Sequence, residues 1–206
     1  MDPRRQRCFG EGDPLYERYH DEEWGRPVTT ERGMYERLCL EAFQAGLSWR
    51  TVLHKRAAFR EAFADFDPER VAGYTRRDVA RLMKNKAVIR NRLKIEAAIA
   101  NARALIALAD CGTSLPELVW SFAPTRSRVP RCHADMPAKT AASEALSKAL
   151  RAKGFRFVGP TTAYATMQAA GLVNDHLARC PVRAAVARER AAALQRLRAD
   201  ATSGGL

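Results

Sequence analysis

The hydrophobic residues of this chain recur at helical spacing almost from end to end. One apolar stripe over positions 49–66 predicts a single amphipathic helix, and its members are Val52, Phe59, Phe63 and Phe66. The stretch 87–110 predicts a longer helix that stops before a glycine, and its apolar members are Ile89, Leu93, Ile99 and Ile106. No segment of strand length alternates strictly between apolar and polar residues. The pattern therefore predicts an all-α fold.

Capping residues mark where several of these helices begin. Thr30 can cap a helix that follows it, and an Asp-Pro pair at 67–68 combines a cap with proline at the first helical position. The segments 75–78 and 114–117 fit capping boxes, so each predicts a helix start. A further helix over 141–153 is predicted to end at a glycine.

Two stretches depart from the helical pattern. Residues 123–139 hold three prolines and several basic side chains, which predicts an irregular loop that is either a plain surface connection or a flank that contacts phosphates. Residues 181–206 are rich in alanine and arginine but poor in large apolar side chains, which favours a basic mobile arm over a helix packed on the protein. We therefore predict a helical domain over 1–180 and a C-terminal extension over 181–206.

Composition narrows the class of protein. A chain of 206 residues with 47% apolar residues can form one well-cored domain, which excludes a disordered basic tail. No apolar run approaches the length of a membrane span and no secretion signal is evident, so we expect a cytoplasmic protein. The net charge of +12 points to a polyanionic partner, most simply nucleic acid, or else to a lineage that favours arginine.

The five cysteines are an odd number, which argues against a disulfide framework and for reduced thiols or metal ligands. His176 and Cys180 are four residues apart, so on one helix both would project from the same face. Together with Cys8 and His20 they make a complete tetrahedral zinc set without an open position. The alternative is a buried thiol beside a hydrogen-bonded core histidine.

A short hairpin between two predicted helices, residues 154–159, is bracketed by glycines. Exposed backbone N–H groups there could hold a phosphate, assisted by the dipole of the following helix. This is the pattern of a helix-hairpin-helix grip on the DNA backbone; the alternative is an ordinary corner between two helices. The candidate DNA-binding residues of this region are Lys153, Gly154, Arg156, Gly159, Thr161 and Thr162.

Aromatic and acidic residues gather in the first fifty positions. Aromatic faces can stack on a nucleobase, and a carboxylate can accept hydrogen bonds from its exocyclic amine. Glu41 falls within an apolar helix, where a carboxylate is costly unless it is paired. The alternative is a set of core aromatics with an edge-exposed glutamate. The aromatic candidates are Tyr16, Tyr19, Trp24 and Trp49.

Several long motifs in this chain resemble those of the 3-methyladenine DNA glycosylase I family. They include Asp13-Pro-Leu-Tyr16 with the following Tyr-His-Asp and Glu-Trp-Gly, the run from Leu40-Glu41 to Leu-Ser-Trp49, and Gly171-Leu-Val-Asn-Asp-His176. Ala145 to Leu150 and Lys153 to Gly159 match as well. The resemblance runs in order from Cys8 to about Cys180.

The resemblance implies an all-helical fold of the helix-hairpin-helix glycosylase superfamily with one structural Zn²⁺. It implies a monomeric hydrolase that flips 3-methyladenine out of double-stranded alkylated DNA and removes it. By position, the zinc ligands would be Cys8, His20, His176 and Cys180. The base pocket would comprise Glu41 with Tyr16, Tyr19, Trp24 and Trp49. The family often has Trp two residues after the first Cys; here Phe9 either replaces that wall or the wall is missing.

On this hypothesis Glu41 receives the exocyclic amine and favours the cationic base, while Leu47 fills the vacated stack. Gln44, at the start of the turn that holds Leu47, is a further candidate DNA-binding residue. Asp175 is a candidate for activating the attacking water, or it orients the neighbouring His176. Two rival functions stay open at this point. One is a zinc-stabilised DNA-binding or damage-sensing module without catalysis, and the other is a glycosylase for a different alkylated base.

Overall fold

The computed structural model describes residues 6–126 and 128–203, and these contain α-helices and short 3₁₀ turns but no strand. The predicted all-α class is therefore confirmed. The helices are α1 Pro14–Glu22, α2 Glu31–Gln44, α3 Trp49–Ala62, α4 Pro68–Ala72, α5 Arg76–Lys84, α6 Arg92–Asp110, α7 Leu115–Trp120, α8 Ala141–Ala152, α9 Pro160–Ala169 and α10 Arg183–Ser203. No helix in the described ranges combines the length and the apolarity that crossing a bilayer requires.

The predicted caps form as local hydrogen bonds. The Thr30 side chain accepts from the N–H of Gly33 at the start of α2, and Asp67 caps α4. At α7 the Ser114 hydroxyl accepts from the N–H of Glu117 at 3.2 Å, and the Glu117 carboxylate accepts from the N–H of Ser114 at 2.7 Å. The equivalent box at 75–78 begins α5. These bonds involve groups three residues apart, which is why the sequence alone could locate them.

The single helix predicted over 49–66 is wrong, because α3 ends at Ala62 and a left-handed 3₁₀ turn follows. Ala64, Asp65 and Phe66 have φ of 51°, 55° and 56°, which reverses the chain before α4. The apolar stripe is nevertheless buried as expected. Phe66 is fully buried and its ring stacks on that of Phe63 with centroids 5.7 Å apart. Burying this ring on the same core offsets the cost of the left-handed backbone.

The helix predicted over 87–110 begins later, at Arg92. Asn91 caps it by accepting from the N–H of Lys94 at 3.2 Å, and Ile89 lies in the preceding turn. Leu93 is 65% exposed, so its assignment to the core stripe is wrong. Leu93 points outward because the buried face of α6 is formed by Ile95 and by the residues that follow Ile95 at helical spacing.

Helix α2 lies at the centre of the core and packs against α3, α6, α7 and α9. Its apolar residues are almost completely buried, and the Tyr35 hydroxyl donates to the carbonyl of Ala98 on α6 at 2.8 Å. The indole N–H of Trp120 on α7 donates to the carbonyl of Val28, which precedes α2. The central helix is therefore held by burial and by directed bonds at both sides, which gives a rigid base for the side chains it presents.

The expectation of a basic mobile arm after residue 180 is wrong for the described part of that segment. Helix α10 packs on the domain through Val186 and Ala193, both fully buried. The guanidinium of Arg190 donates to the carbonyls of Leu172 and Pro124, and Arg26 pairs with Glu189. The sequence obscured this packing because an alanine allows close approach without contributing a large apolar side chain.

The loop 123–139 is irregular as predicted, with one short 3₁₀ turn at His133–Asp135. Asp135 accepts from the N–H groups of Arg131 and Cys132 at 2.7 and 3.2 Å. A ring nitrogen of His133 hydrogen-bonds the carbonyl of Cys8 at 2.7 Å. The loop is therefore tied to the N-terminal segment rather than lying free on the surface.

Candidate active site and metal centre

Two cysteines and two histidines from opposite ends of the chain meet in the interior. Cys8, His20, His176 and Cys180 are all buried, and their ligand atoms lie within 4.8 Å of one another. The sulfur of Cys180 lies 3.3 Å from Nδ1 of His176 and 3.5 Å from Nε2 of His20. The sulfur of Cys8 lies 3.7 Å from Nδ1 of His176. The residues predicted as a metal set are thus brought together.

The three individual distances, 3.3, 3.5 and 3.7 Å, are those of neighbouring ligands in a tetrahedral metal centre. Bonds of about 2.0–2.1 Å to nitrogen and about 2.3 Å to sulfur place neighbouring ligand atoms roughly 3.3–3.8 Å apart. The outer ring nitrogens are also held as in metal sites. Nδ1 of His20 lies 2.8 Å from Oδ1 of Asp21, and Nε2 of His176 lies 2.9 Å from the carbonyl oxygen of Trp24. The suggestion that Asp175 orients the ring of His176 is therefore wrong, because the carbonyl of Trp24 is the partner of that ring.

The prediction that His176 and Cys180 share a helix is also wrong. They lie in the irregular segment 171–182 between α9 and α10. Asn174 shapes this segment, since its side-chain oxygen accepts from the N–H of His176 at 3.3 Å and its amide donates to the carbonyl of Arg183 at 3.0 Å. A turn can bring residues four apart to one point as a helix does, so the spacing alone did not identify the element.

The residues predicted to form the base pocket line one cavity of 190 Å³ beside the Cys/His cluster. Tyr16 and Tyr19 reach it from α1, and Trp49 reaches it from the first turn of α3. Asp13 joins these helices: it caps α1 and accepts hydrogen bonds from the side chains of Arg50 and His54 at 2.6 and 2.7 Å. The complete lining is Phe9, Tyr16, Tyr19, Trp24, Glu41, Gln44, Trp49, Ala165 and Gln168.

Glu41 provides the carboxyl group in the lining of this cavity. Its side chain projects from α2, the residue is 5% exposed, and its carboxyl group makes no hydrogen bond with any residue in the described ranges. Burial raises the pKa of Glu41 to about 8, while Arg37 acts in the opposite direction. Arg37 is itself paired with Glu23 at 2.8 Å and lies over the ring of Tyr19. The reading of Glu41 as an edge-exposed residue is thus wrong.

Aromatic rings form the walls. The rings of Tyr19 and Trp49 have centroids 5.1 Å apart, and the buried indole N–H of Trp49 has no hydrogen-bond partner within 6–126 or 128–203. Phe9 packs against Tyr16 at 4.8 Å and against Trp24 at 4.9 Å. Phe9 therefore belongs to the wall, in line with the first of the two alternatives raised by the missing tryptophan.

The turn between α2 and α3 presents Leu47 to solvent at 41% exposure. Gly46 supplies the left-handed φ of 81°, and the amide of Gln44 donates to the carbonyl of Leu47 at 2.9 Å. Lys94 anchors the same turn from α6, because its buried ammonium donates to the carbonyls of Phe43 and Ala45 at 2.8 and 2.5 Å. Sequence reasoning missed Lys94, since nothing local distinguishes it from a surface lysine of a helix.

The hairpin at 154–159 is held by a buried side chain that the sequence also left unremarked. Asn101 of α6 accepts from the N–H of Arg156 at 2.7 Å and donates to its carbonyl at 3.1 Å. Gly154 has a left-handed φ of 89°, whereas Gly159 is extended and Phe157 is left-handed at 55°. Lys153, Arg156 and Thr161 are exposed here, while Thr162 is half-buried.

Asp175 is 6% exposed and lies behind the cavity rather than in its lining. Its Oδ2 accepts from the hydroxyl of Tyr164 at 2.6 Å and from the amide of Gln168 at 2.8 Å. Gln168 does line the cavity, so it connects Asp175 to the pocket. Sequence reasoning missed Gln168 because an isolated glutamine in a helix carries no signal of its own.

Residues 9–184 match the family model described as methyladenine glycosylase. The chain belongs to the methyladenine glycosylase family. A DNA-3-methyladenine glycosylase from Haemophilus influenzae is 47% identical over 179 residues, covering 85% of this chain and 96% of the relative.

Solved structures agree with the family assignment. A crystal structure of a 3-methyladenine DNA glycosylase I superposes with a TM-score of 0.83 at 49% identity, covering 85% of this chain and 98% of the other. A Staphylococcus aureus 3-methyladenine DNA glycosylase I, whose structure addresses recognition of 3-methyladenine, superposes with a TM-score of 0.81 at 36% identity, covering 86% and 95%.

The match to the methyladenine glycosylase family ends inside the first turns of α10. Glu41, the aromatic walls and three members of the Cys/His cluster fall within it, and Cys8 immediately precedes it. The rest of α10 lies beyond the matched residues, although Ala193 in that part is fully buried.

Proposed function

We propose that this chain is a DNA glycosylase that removes 3-methyladenine from alkylated double-stranded DNA by hydrolysis of the base–sugar bond. The observation that carries this function is Glu41, a buried carboxyl group without a hydrogen-bond partner in the described ranges, set in an aromatic cavity. Buried polar groups are normally satisfied by a hydrogen-bond partner, and a bound base can supply one here. Family membership indicates that the ligand is a methylated adenine.

The chemistry of the substrate explains why such a pocket suffices. Methylation at N3 makes the attached base cationic, so it leaves as neutral 3-methyladenine without a strong general acid. The work of the protein is to flip the nucleotide out, recognise the base and stabilise the positively charged transition state. Stacking on Trp49 and Tyr19 offsets about 1–3 kcal/mol per base of the cost of unstacking. The carboxylate of Glu41 attracts the cationic base and accepts from its exocyclic amine.

Activation of the attacking water by Asp175 stays a prediction. Its Oδ2 already accepts two hydrogen bonds, and the residue does not line the cavity. These bonds favour a positioning role. A departing base that is already activated also reduces the need for a strong base.

The DNA interface that we propose has two parts. Leu47, braced by Gln44, occupies the space that the flipped nucleotide leaves, since it is exposed on a rigid turn next to the cavity. The hairpin with its following helix start contacts the phosphates through Lys153, Gly154, Arg156, Gly159, Thr161 and Thr162. The anchored backbone of Arg156 supports this role, because a phosphate grip needs N–H groups held in fixed directions.

We further propose that Cys8, His20, His176 and Cys180 hold one structural Zn²⁺. When bound, the ion would serve as a cross-link, because the four ligands leave no open position for a water molecule. It would join the N-terminal segment to the segment before α10. We also propose a monomeric cytoplasmic protein with a domain over 1–180 and an extension over 181–206, the described part of which docks on that domain.

The test is release of free base from DNA treated with a methylating agent, with the products separated by chromatography. If the proposed function is correct, we expect 3-methyladenine to be released at a rate far above that of spontaneous depurination. A protein that binds the methylated duplex but releases no base would instead be a damage-sensing module. Release of a different methylated base in place of 3-methyladenine would assign another lesion.

A further inference from the structure

Gln168 of α9 lines the same cavity as Glu41 but has no role in the function proposed above. We propose that Gln168 is a specificity-determining residue whose side-chain oxygen accepts a hydrogen bond from the exocyclic amine of the flipped base. Asp175 acts as its positioning residue. The inference rests on the proposed function, and it concerns how the pocket distinguishes a 6-amino purine from a 6-oxo purine.

The direction of the Gln168 amide follows from its partner. A carboxylate only accepts hydrogen bonds, so the group that lies 2.8 Å from Oδ2 of Asp175 must be the NH₂ of Gln168. The carbonyl oxygen is then at the opposite end of the amide. This oxygen makes no hydrogen bond with any residue of 6–126 or 128–203, and the residue is only half-buried. An acceptor is therefore presented at the cavity wall.

Asp175 is itself held in place, so the amide cannot easily reverse. The hydroxyl of Tyr164 donates to the same Oδ2 at 2.6 Å, and both Tyr164 and Asp175 are almost completely buried. Tyr164 and Gln168 are four residues apart on α9 and thus share one face of that helix. A reversed amide would place its oxygen against a buried carboxylate oxygen, which is repulsive.

Two acceptors in one small cavity select for a donor edge. The exocyclic amine of adenine has two N–H groups, whereas guanine presents the acceptor O6 at the corresponding position. Glu41 and Gln168 together can receive the two N–H groups of an adenine base. A guanine base would leave these acceptors unpaired beside its own oxygen, and sites built from hydrogen-bonding groups reject such mismatches strongly.

The experiment compares two lesions that carry the same positive charge. Methylated duplex DNA containing 3-methyladenine and 3-methylguanine is treated with wild type or Q168L, and the released bases are quantified together. We expect Q168L to lower the ratio of kcat/KM for 3-methyladenine over 3-methylguanine by about tenfold, the loss of one hydrogen bond. Q195L, at an exposed position of α10, is the matched control and should leave the ratio unchanged.

The positioning role is tested by two substitutions of Asp175. D175N retains an oxygen that can accept from Gln168, so it should retain the ratio, whereas D175A should lower it as Q168L does. Metal content and thermal midpoint are measured for both, because His176 adjoins this residue. If Q168L folds poorly, Q168A and the affinity of each variant for free 3-methyladenine, followed by tryptophan fluorescence, provide the second measurement.

The outcomes separate this inference from the function on which it rests. An unchanged ratio and unchanged base affinity in folded Q168L overturn the role of Gln168 while leaving the proposed function intact. A retained ratio in D175A with intact metal content overturns the positioning role. If wild type releases neither base, the proposed function fails and this inference fails with it.

Discussion

The Cys/His cluster and the aromatic cavity around Glu41 lie side by side and share Trp24, yet their buried polar atoms are in opposite states. In the Cys/His cluster each histidine ring has a partner for its outer nitrogen, Asp21 for His20 and the Trp24 carbonyl for His176. In the pocket the carboxyl of Glu41 and the indole N–H of Trp49 have no partner among the described residues.

This difference distinguishes a site that stabilises from a site that binds. An unpaired buried polar group costs about 1–3 kcal/mol, so it persists where a ligand later satisfies it. Four potential ligands that lie close together, with both histidine rings held by hydrogen bonds at their outer nitrogens, are instead typical of a structural metal site that cross-links the fold. The comparison predicts that damage to the first region removes stability and damage to the second removes activity.

The largest effect is expected from breaking the metal centre. C180S removes one thiolate and leaves three ligands, so the variant should lose bound zinc, and its thermal midpoint should fall by about 10 °C or more. Metal analysis and calorimetry measure both quantities. The control is C111S, the same substitution at an exposed cysteine, which should retain metal and stability. A C180S protein with full zinc content and an unchanged midpoint would show that the cluster is not a metal site.

The next largest effect is expected at the pocket. E41Q keeps the shape of the side chain but removes its charge, so kcat/KM for release of 3-methyladenine should fall about 100-fold, as when other transition-state charge partners are removed. The thermal midpoint should not fall, since the variant removes a buried ionisable group. E61Q, at an exposed glutamate of α3, is the control. Full activity in E41Q would contradict the assignment of the pocket.

A smaller effect concerns pH. Because burial raises the pKa of Glu41 to about 8, much of the free protein carries a neutral carboxyl group at neutral pH. If the ionised form attracts the cationic base, kcat/KM should rise about tenfold between roughly pH 7 and pH 9, and the rise should vanish in E41Q. A profile that is flat in wild type would contradict the role of the charge.

The same group has a consequence for stability. A carboxyl whose folded pKa is raised above its ordinary 4.5 favours folding when protonated, and this contribution is lost as the pH rises towards about 8. E41Q should therefore gain stability relative to wild type as the pH increases through that window. Denaturant unfolding of both proteins at the two ends of the window measures the change.

The smallest effect is expected from the hairpin, which belongs to neither of the compared regions. K153A/R156A removes two candidate phosphate contacts, so the slope of log affinity against log salt should become shallower by about 1.8. The rate of base release at saturating protein should stay unchanged. R188A/R196A removes the same charge from exposed positions of α10 and is the matched control. An unchanged slope in K153A/R156A would exclude the hairpin as a phosphate grip.

Some features were predictable from the sequence because they depend on near neighbours. The capping boxes at 75–78 and 114–117 form between groups three residues apart, and the burial of Phe59 and Phe63 follows from their spacing. The left-handed turn at Ala64–Phe66 was not predictable, since its cost is offset only by packing on a core assembled from distant helices. The packing of α10 on the domain was not predictable for the same reason.

The sequence by itself determined the helical class, most helix starts and the family, because caps, apolar spacing and motifs are local patterns along the chain. Only the tertiary structure decided which polar atoms are paired. Three features depend on contacts across the fold: the burial of the Glu41 carboxyl without a hydrogen-bond partner in the described part of the chain, the buried ammonium of Lys94 at the end of α2, and the direction of the Gln168 amide. Hydrogen-bond satisfaction is a property of atoms brought together by folding, and that is where the binding site is defined.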